Sequence, residues 1–115
     1  MRVSFDYWGT LSVLKYQKEA KACCDRHEVF LITRGKYIED AKKVAAAIGI
    51  KADHVISTEG EDKGEVMNKL GIDIHYDDDK NQIAAIQAVS KTYCVHVNKK
   101  AFRNSNWDYT VKHYI

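Results

Sequence analysis

Strand-like and helix-like segments alternate along almost the whole of this chain, and that alternation permits few folds. Arg2–Asp6 reads as a short strand, RVSFD, ending in a carboxylate, and Gly9 breaks the chain after it. Val13 to about His27 reads as a helix with Val13, Gln17, Ala20 and Cys24 on one side. Glu28–Thr33 (EVFLIT) is almost continuously apolar, as in a strand covered on both faces. Tyr37, Ala41, Val44, Ala45 and Ile48 recur at helical spacing, and Gly49 closes that helix. His54–Ser57 is a short strand followed by the polar loop TEGED. Lys63–Leu70 is a short helix with Val66, Met67 and Leu70 inward, closed by Gly71. Ile72–Tyr76 is a strand leading into three aspartates. Lys80–Ser90 is a helix carrying Ile83, Ala84, Ile86, Ala88 and Val89, and Thr92–Val97 is a fifth strand.

This order predicts an α/β fold: a three-layer, Rossmann-like sandwich with a mainly parallel sheet of about five strands. The 115 residues suit one domain, 1–115, and 45% apolar with 30% charged residues suits a globular chain. No apolar run approaches the ~20 residues that span a bilayer, so no membrane partner is expected. The start, MRVSFDYWGT, lacks the apolar core of a signal peptide. Cys23, Cys24 and Cys94 are odd in number, which suits a reducing cytoplasm. Together with His27 and His96 they lack the ligand spacing of a zinc site and read as buried thiols.

Charge is uneven. Residues 51–90 hold 4 basic and 9 acidic groups, whereas 91–115 hold 5 and 1. The basic tail sets Lys99, Lys100, Arg103 and Lys112 among Phe102, Trp107, Tyr109 and Tyr114. Such interleaving can bind single-stranded nucleic acid, but rings packed on the sheet with solvated lysines is the favoured reading. The last stretch, WDYTVKHYI, alternates as a terminal edge strand would.

In parallel sheets ligands sit beyond the carboxyl ends of strands, where the strand order reverses. Asp6, Thr33 and Asp77–Asp79 stand at three such ends. A carboxylate at Asp6 is suited to covalent nucleophilic attack. The Thr33 hydroxyl can hold a phosphoryl oxygen, and Lys63 can neutralise phosphate charge. Arg34, beside Thr33, joins these phosphate-binding candidates against a plainer reading as solvated surface. Asp77 and Asp78 crowd two negative charges, which favours a bound cation, and an all-oxygen set suits magnesium. The plainer readings are a turn acid for Asp6, a helix cap for Thr33, solvated surface for Lys63 and a cap for one aspartate, Asp79 above all.

Four segments in order resemble the motifs of the haloacid dehalogenase superfamily: FDYWGTL at 5–11, FLITR at 30–34, Lys63 in EDKGEV, and IHYDDDKN at 74–81. The resemblance covers about residues 1–97. It implies a magnesium-dependent phosphomonoester hydrolase in which Asp6 forms an aspartyl-phosphate. It further implies that Asp6, the main-chain carbonyl of Trp8, and Asp77 or Asp78 hold magnesium, while Thr33 and Lys63 hold the phosphoryl group. The gaps Asp6–Thr33 and Thr33–Lys63 are too short for an inserted cap domain. Capless members act on large substrates or borrow a neighbouring subunit as a lid, so a homodimer is one implied assembly.

One departure divides the functional readings. Phosphatase members usually carry a second aspartate two residues after the nucleophile, as general acid and base; here that place holds Trp8. General acid–base help is worth about 10²–10⁴-fold. Neither His75 nor Asp79 stands in its place. The alternative is therefore a catalytically weak or inactive domain that binds metal and a phosphorylated ligand or partner. A dehalogenase is disfavoured by the metal acids and the missing cap. A response-regulator-like phosphoacceptor is disfavoured by the lack of paired acids after the first strand.

Overall fold

A computed structural model describes residues 1–97 and the backbone of 111–114. Strands β1 (Arg2–Phe5), β2 (Glu28–Thr33), β3 (Val55–Ser57), β4 (Ile74–Asp77) and β5 (Tyr93–Val97) alternate with helices α1 (Leu14–Cys23), α2 (Ile38–Ile48), α3 (Gly64–Leu70) and α4 (Lys80–Val89). The five strands form a parallel sheet in the order β3-β2-β1-β4-β5. A sixth strand, β6 (Val111–Tyr114), pairs antiparallel with β5 at the edge. The expected edge strand thus covers 111–114; the rest of the basic tail, 98–110, lies outside the described residues, as do the side chains of Lys112 and Tyr114.

The period-two alternation of β2 sends its side chains to two separate cores. Val29 and Leu31 pack with Tyr16 and Ala20 of α1 and with Ala41, Ala45 and Ile48 of α2. Phe30 and Ile32 pack with Met67 of α3 and with Ile83 and Ile86 of α4. So α1 and α2 cover one face and α3 and α4 the other, which is why EVFLIT is apolar throughout. Phe5 and Tyr76, partners across β1 and β4, stack at 4.7 Å.

Several boundaries differ from the periodic pattern. The first helix ends at Cys23 rather than near His27. Apolar spacing alone therefore overstated its length. The fourth strand begins at Ile74 and runs through Asp77, because its ladder to β5 extends to the Asp77–His96 pair. Val89 is exposed although apolar. Cys94 is buried in β5, while Cys23 and Cys24 are partly buried against the first core, and all three thiols are free. No helix among the described residues is long and apolar enough to cross a membrane.

The strand order reverses between β1 and β4. From β1 the chain moves outward through β2 and β3, then returns to the other side of β1 for β4 and β5. The carboxyl ends of β1 and β4 are therefore neighbours. The Asp6 amide donates to the Tyr76 carbonyl at 2.8 Å and sets the two ends side by side.

Ile86 is fully buried between α4 and the sheet. Ile86→Ala is expected to cost about 2–5 kcal/mol in urea unfolding. Leu14→Ala, at an exposed position, is expected to stay within about 0.5 kcal/mol.

Candidate metal and phosphate site

Asp6 follows β1, Asp77 ends β4, and Lys63 stands immediately before α3, on the α3/α4 face of the sheet. The Lys63 Nζ lies 2.7 Å from Asp6 Oδ1 and 2.7 Å from Asp77 Oδ2. Lys63 and Asp77 are almost wholly buried, and Asp6 is 9% exposed. A lysine this deep is unusual unless paired. Burial alone would lower its pKa, but Asp77 and Asp6 outweigh that and raise it, so Lys63 carries its charge. Burial would likewise raise Asp77, but Lys63 and the His75 hydrogen bond hold it below the usual carboxylate range. Asp6 goes the other way. Burial, with the charges of Asp77 and Asp78 adding to it, outweighs Lys63 and pushes it up to about 7.

Asp78 completes the acidic group. Asp6, Asp77 and Asp78 each offer an oxygen, and these oxygens lie within 4.8 Å of one another. Asp78 can approach because residue 9 is glycine. Gly9 has φ +80, and a Cβ there would overlap the Asp78 carboxylate. The turn after β1 is closed by Leu11 N–H to Asp6 O and Ser12 N–H to Tyr7 O. Gly9 thus has two roles, turning the chain and clearing space for an acid 69 residues away. The donor set is all oxygen, and Gln82 Oε1, on a residue that lines the same cavity, is buried with no hydrogen-bond partner among the described residues. That chemistry suits a small hard cation such as magnesium.

Beneath the acids lies a polar pair that the motifs do not reveal. Ser4 and His75 face each other across β1 and β4, two residues before Asp6 and Asp77. His75 Nε2 is 2.8 Å from Asp77 Oδ2, and Nδ1 is 2.7 Å from Ser4 Oγ. Burial lowers the His75 pKa against the pull of Asp77, so the ring is neutral. Asp77 can only accept, so Nε2 holds the ring proton and Nδ1 accepts from the Ser4 hydroxyl. Asp77 Oδ1 in turn accepts the Asp79 amide at 3.0 Å. Both Asp77 oxygens are thus oriented by the protein. Ser4 and His75 each stand two residues before a site acid in the sequence, but it is the β1–β4 register that brings them together.

The remaining candidates take distinct places. Thr33 is buried at the end of β2, and its Oγ1 accepts the Gly35 amide at 3.3 Å. It does not cap α2, which starts at Ile38 after Tyr37. Asp79 caps α4, accepting from the Asn81 and Gln82 amides. Arg34 is exposed, and its guanidinium donates to the Gly60 carbonyl, tying the loop after β3 to the end of β2. His75 is sealed below the acids, whereas Asp79 lines the cavity and uses its Oδ1 for the cap. Trp8 is 48% exposed. A cavity of ≈390 Å³ brings Asp6, Trp8, Thr33, Arg34, Lys63, Asp77 and Asp78 together.

Stability should report the Asp6 shift. The folded chain holds the Asp6 proton more tightly than the unfolded chain does, about 7 against 3.8. Asp6 therefore contributes its full stabilisation below pH 3.8 and loses it as pH rises through 7. Asp77, lowered, contributes fully above 3.8 and loses its share only on further acidification. Between pH 5 and 7, unfolding free energy of the metal-free wild type should fall relative to Asp6→Asn, by up to about 1.4 kcal/mol per pH unit. Urea unfolding across pH measures this difference; parallel curves would contradict it.

Compared with protein-family models, curated proteins and solved structures, the chain has no match in any of the three. What stands is a small α/β domain with a five-strand parallel sheet, without a family assignment.

Proposed function

We propose that this chain is a magnesium-dependent phosphomonoester hydrolase of the haloacid dehalogenase type, acting through an aspartyl-phosphate on Asp6. The observation that carries the reading is the convergence of three carboxylates within 4.8 Å around a lysine pinned to two of them, at the reversal of strand order. Asp6, Asp77, Asp78 and the main-chain carbonyl of Trp8 are the groups that would hold magnesium. Bound there, magnesium would neutralise charge on the phosphoryl oxygens.

The chain's own groups then divide the work. Ionised Asp6 bonds to phosphorus as the ester P–O bond breaks; the leaving oxygen departs with the bonding pair and takes up a proton. Water attacks phosphorus next, releasing phosphate and returning the Asp6 carboxylate. An Asp6 pKa near 7 keeps an appreciable ionised fraction at neutral pH. Lys63 is held where it can share its three donors between the carboxylates and a phosphoryl oxygen. The Thr33 Oγ1 accepts from Gly35, which leaves its hydroxyl proton for phosphate. The second reading, a binding domain with weak turnover, is favoured by one observation: the half-exposed indole of Trp8 stands where the resemblance expects a proton donor.

Phosphate release from sugar phosphates, nucleotides, phosphopeptides and phosphate-ended oligonucleotides tests the proposal. Release should require magnesium and fall to background in Asp6→Asn. Release that persists in Asp6→Asn would overturn the nucleophile, and magnesium binding without release on any substrate would favour the second reading.

The buried pair generates a further expectation. Ser4→Ala and His75→Leu should each weaken magnesium binding by about 10–100-fold, because Asp77 loses its orientation. His75→Gln, which keeps an N–H donor, should lose less. Calorimetric titration of the metal checks the order.

A further inference from the structure

One buried side-chain oxygen beside the acids lacks a donor. Gln82 lies in the first turn of α4, is 5% exposed, and lines the same cavity as Asp6, Lys63, Asp77 and Asp78. Its Nε2 donates to Asp62 Oδ1 at 3.2 Å. A carboxylate only accepts, so Asp62 fixes which way round the amide stands, with the nitrogen toward Asp62 and Oε1 on the other side. Oε1 is then buried with no hydrogen-bond partner among the described residues. A buried acceptor left unpaired costs stability, and native structures keep few of them.

The turn that builds the acidic group also sets this oxygen. Asp62 directly precedes Lys63, so the segment that brings the ammonium to Asp6 and Asp77 brings the carboxylate that holds Gln82. The start of α3 is pressed against α4, where a Cβ on Gly64 would overlap the Val89 side chain. The cations that line the cavity do not supply the missing donor: Lys63 donates to Asp6 and Asp77, and Arg34, Lys36 and Lys80 are exposed. The donor therefore comes with what the cavity binds. Magnesium demands an octahedral shell of oxygens and keeps several waters when a protein holds it. One oxygen each from Asp6, Asp77, Asp78 and the Trp8 carbonyl leaves part of that shell to water or phosphate. Water on a dication turns its hydrogens outward and is a strong donor, which is what an unpaired buried carbonyl requires.

We propose that Gln82 Oε1 accepts a hydrogen bond from a water of the cation's shell, and that Asp62 is the positioning residue that turns the amide to do so. The inference rests on the proposed cation site and adds two residues that reach the cation only through water. Groups that act on a metal in this way typically change its affinity by about 10–100-fold.

The test is calorimetric titration of the full chain with magnesium alone, beside urea unfolding of the metal-free protein. Gln82→Met keeps the length of the side chain and removes the acceptor, and should weaken magnesium binding by about tenfold or more. Asp62→Ala, at an exposed position, keeps the acceptor but frees the amide to turn, and should cause a smaller loss. Without metal, Gln82→Met should lower the urea midpoint no further than Asp62→Ala does, because only the bond to Asp62 is lost. Wild-type affinity in Gln82→Met would overturn the assignment and leave Oε1 to a group of the substrate. A larger fall in the metal-free midpoint would also overturn it, because Oε1 would then hold a water that needs no cation. Wild-type affinity in Asp62→Ala alone would overturn the part given to Asp62. Absence of magnesium binding in the wild type, or binding that survives Asp78→Ala, would overturn the cation site and this role with it.

Discussion

One ammonium group shared by two buried carboxylates sets the chemistry of this fold. Lys63 reaches Asp6 and Asp77 at 2.7 Å each, on a side chain that is 1% exposed. Removing one member of such a group leaves a buried charge uncompensated, which typically costs about 3–5 kcal/mol. The arrangement is a constraint before it is a source of stability. It requires β1 and β4 to be neighbours, and it requires α3 to begin over their ends. The parallel order β3-β2-β1-β4-β5 meets both requirements.

The surrounding structure fits that constraint. The Ser4–His75 pair passes a hydrogen bond upward into Asp77, while the Asp79 amide takes its other oxygen. Gly9 clears the space into which Asp78 enters. Burial, with the charges of Asp77 and Asp78 adding to it, raises the pKa of Asp6 against the opposing pull of Lys63. Neighbouring carboxylates with opposite shifts are a common mark of sites that perform acid, base or nucleophilic work. The same geometry favours a divalent cation, because an added positive charge relieves the crowding of Asp6, Asp77 and Asp78.

Much of the architecture was legible in the residues. The unbroken apolar run EVFLIT announced a strand covered on both faces, and the spacing from Tyr37 to Ile48 announced α2 with its Gly49 end. Asp6 and Asp77 were legible as a group because polar residues at strand ends converge in a parallel sheet, whereas Lys63, at the start of a helix, joined them through the motif resemblance. The cap role of Asp79 followed from its place before Lys80. What escaped was tertiary. Nothing local marks Ser4 as the partner of His75, since their pairing depends on the β1–β4 register. The meeting of Trp8 with Tyr37 depends on two turns 29 residues apart in the chain, one of them in a conformation that tyrosine seldom adopts. The end of α1 was misplaced because apolar spacing continues beyond the last helical residue.

The central claim is that Asp6, Asp77 and Asp78 act together as one cation site. Paramagnetic broadening by substoichiometric manganese, read in the amide spectrum of the metal-free protein, tests it without any assumption about substrate. Amides of residues 6–10 and 77–80 should broaden first, with residues 33–35 following, and magnesium should restore them. Broadening centred on Glu59, Glu61 and Asp62 in the loop after β3, or spread over the surface and insensitive to magnesium, would contradict the account.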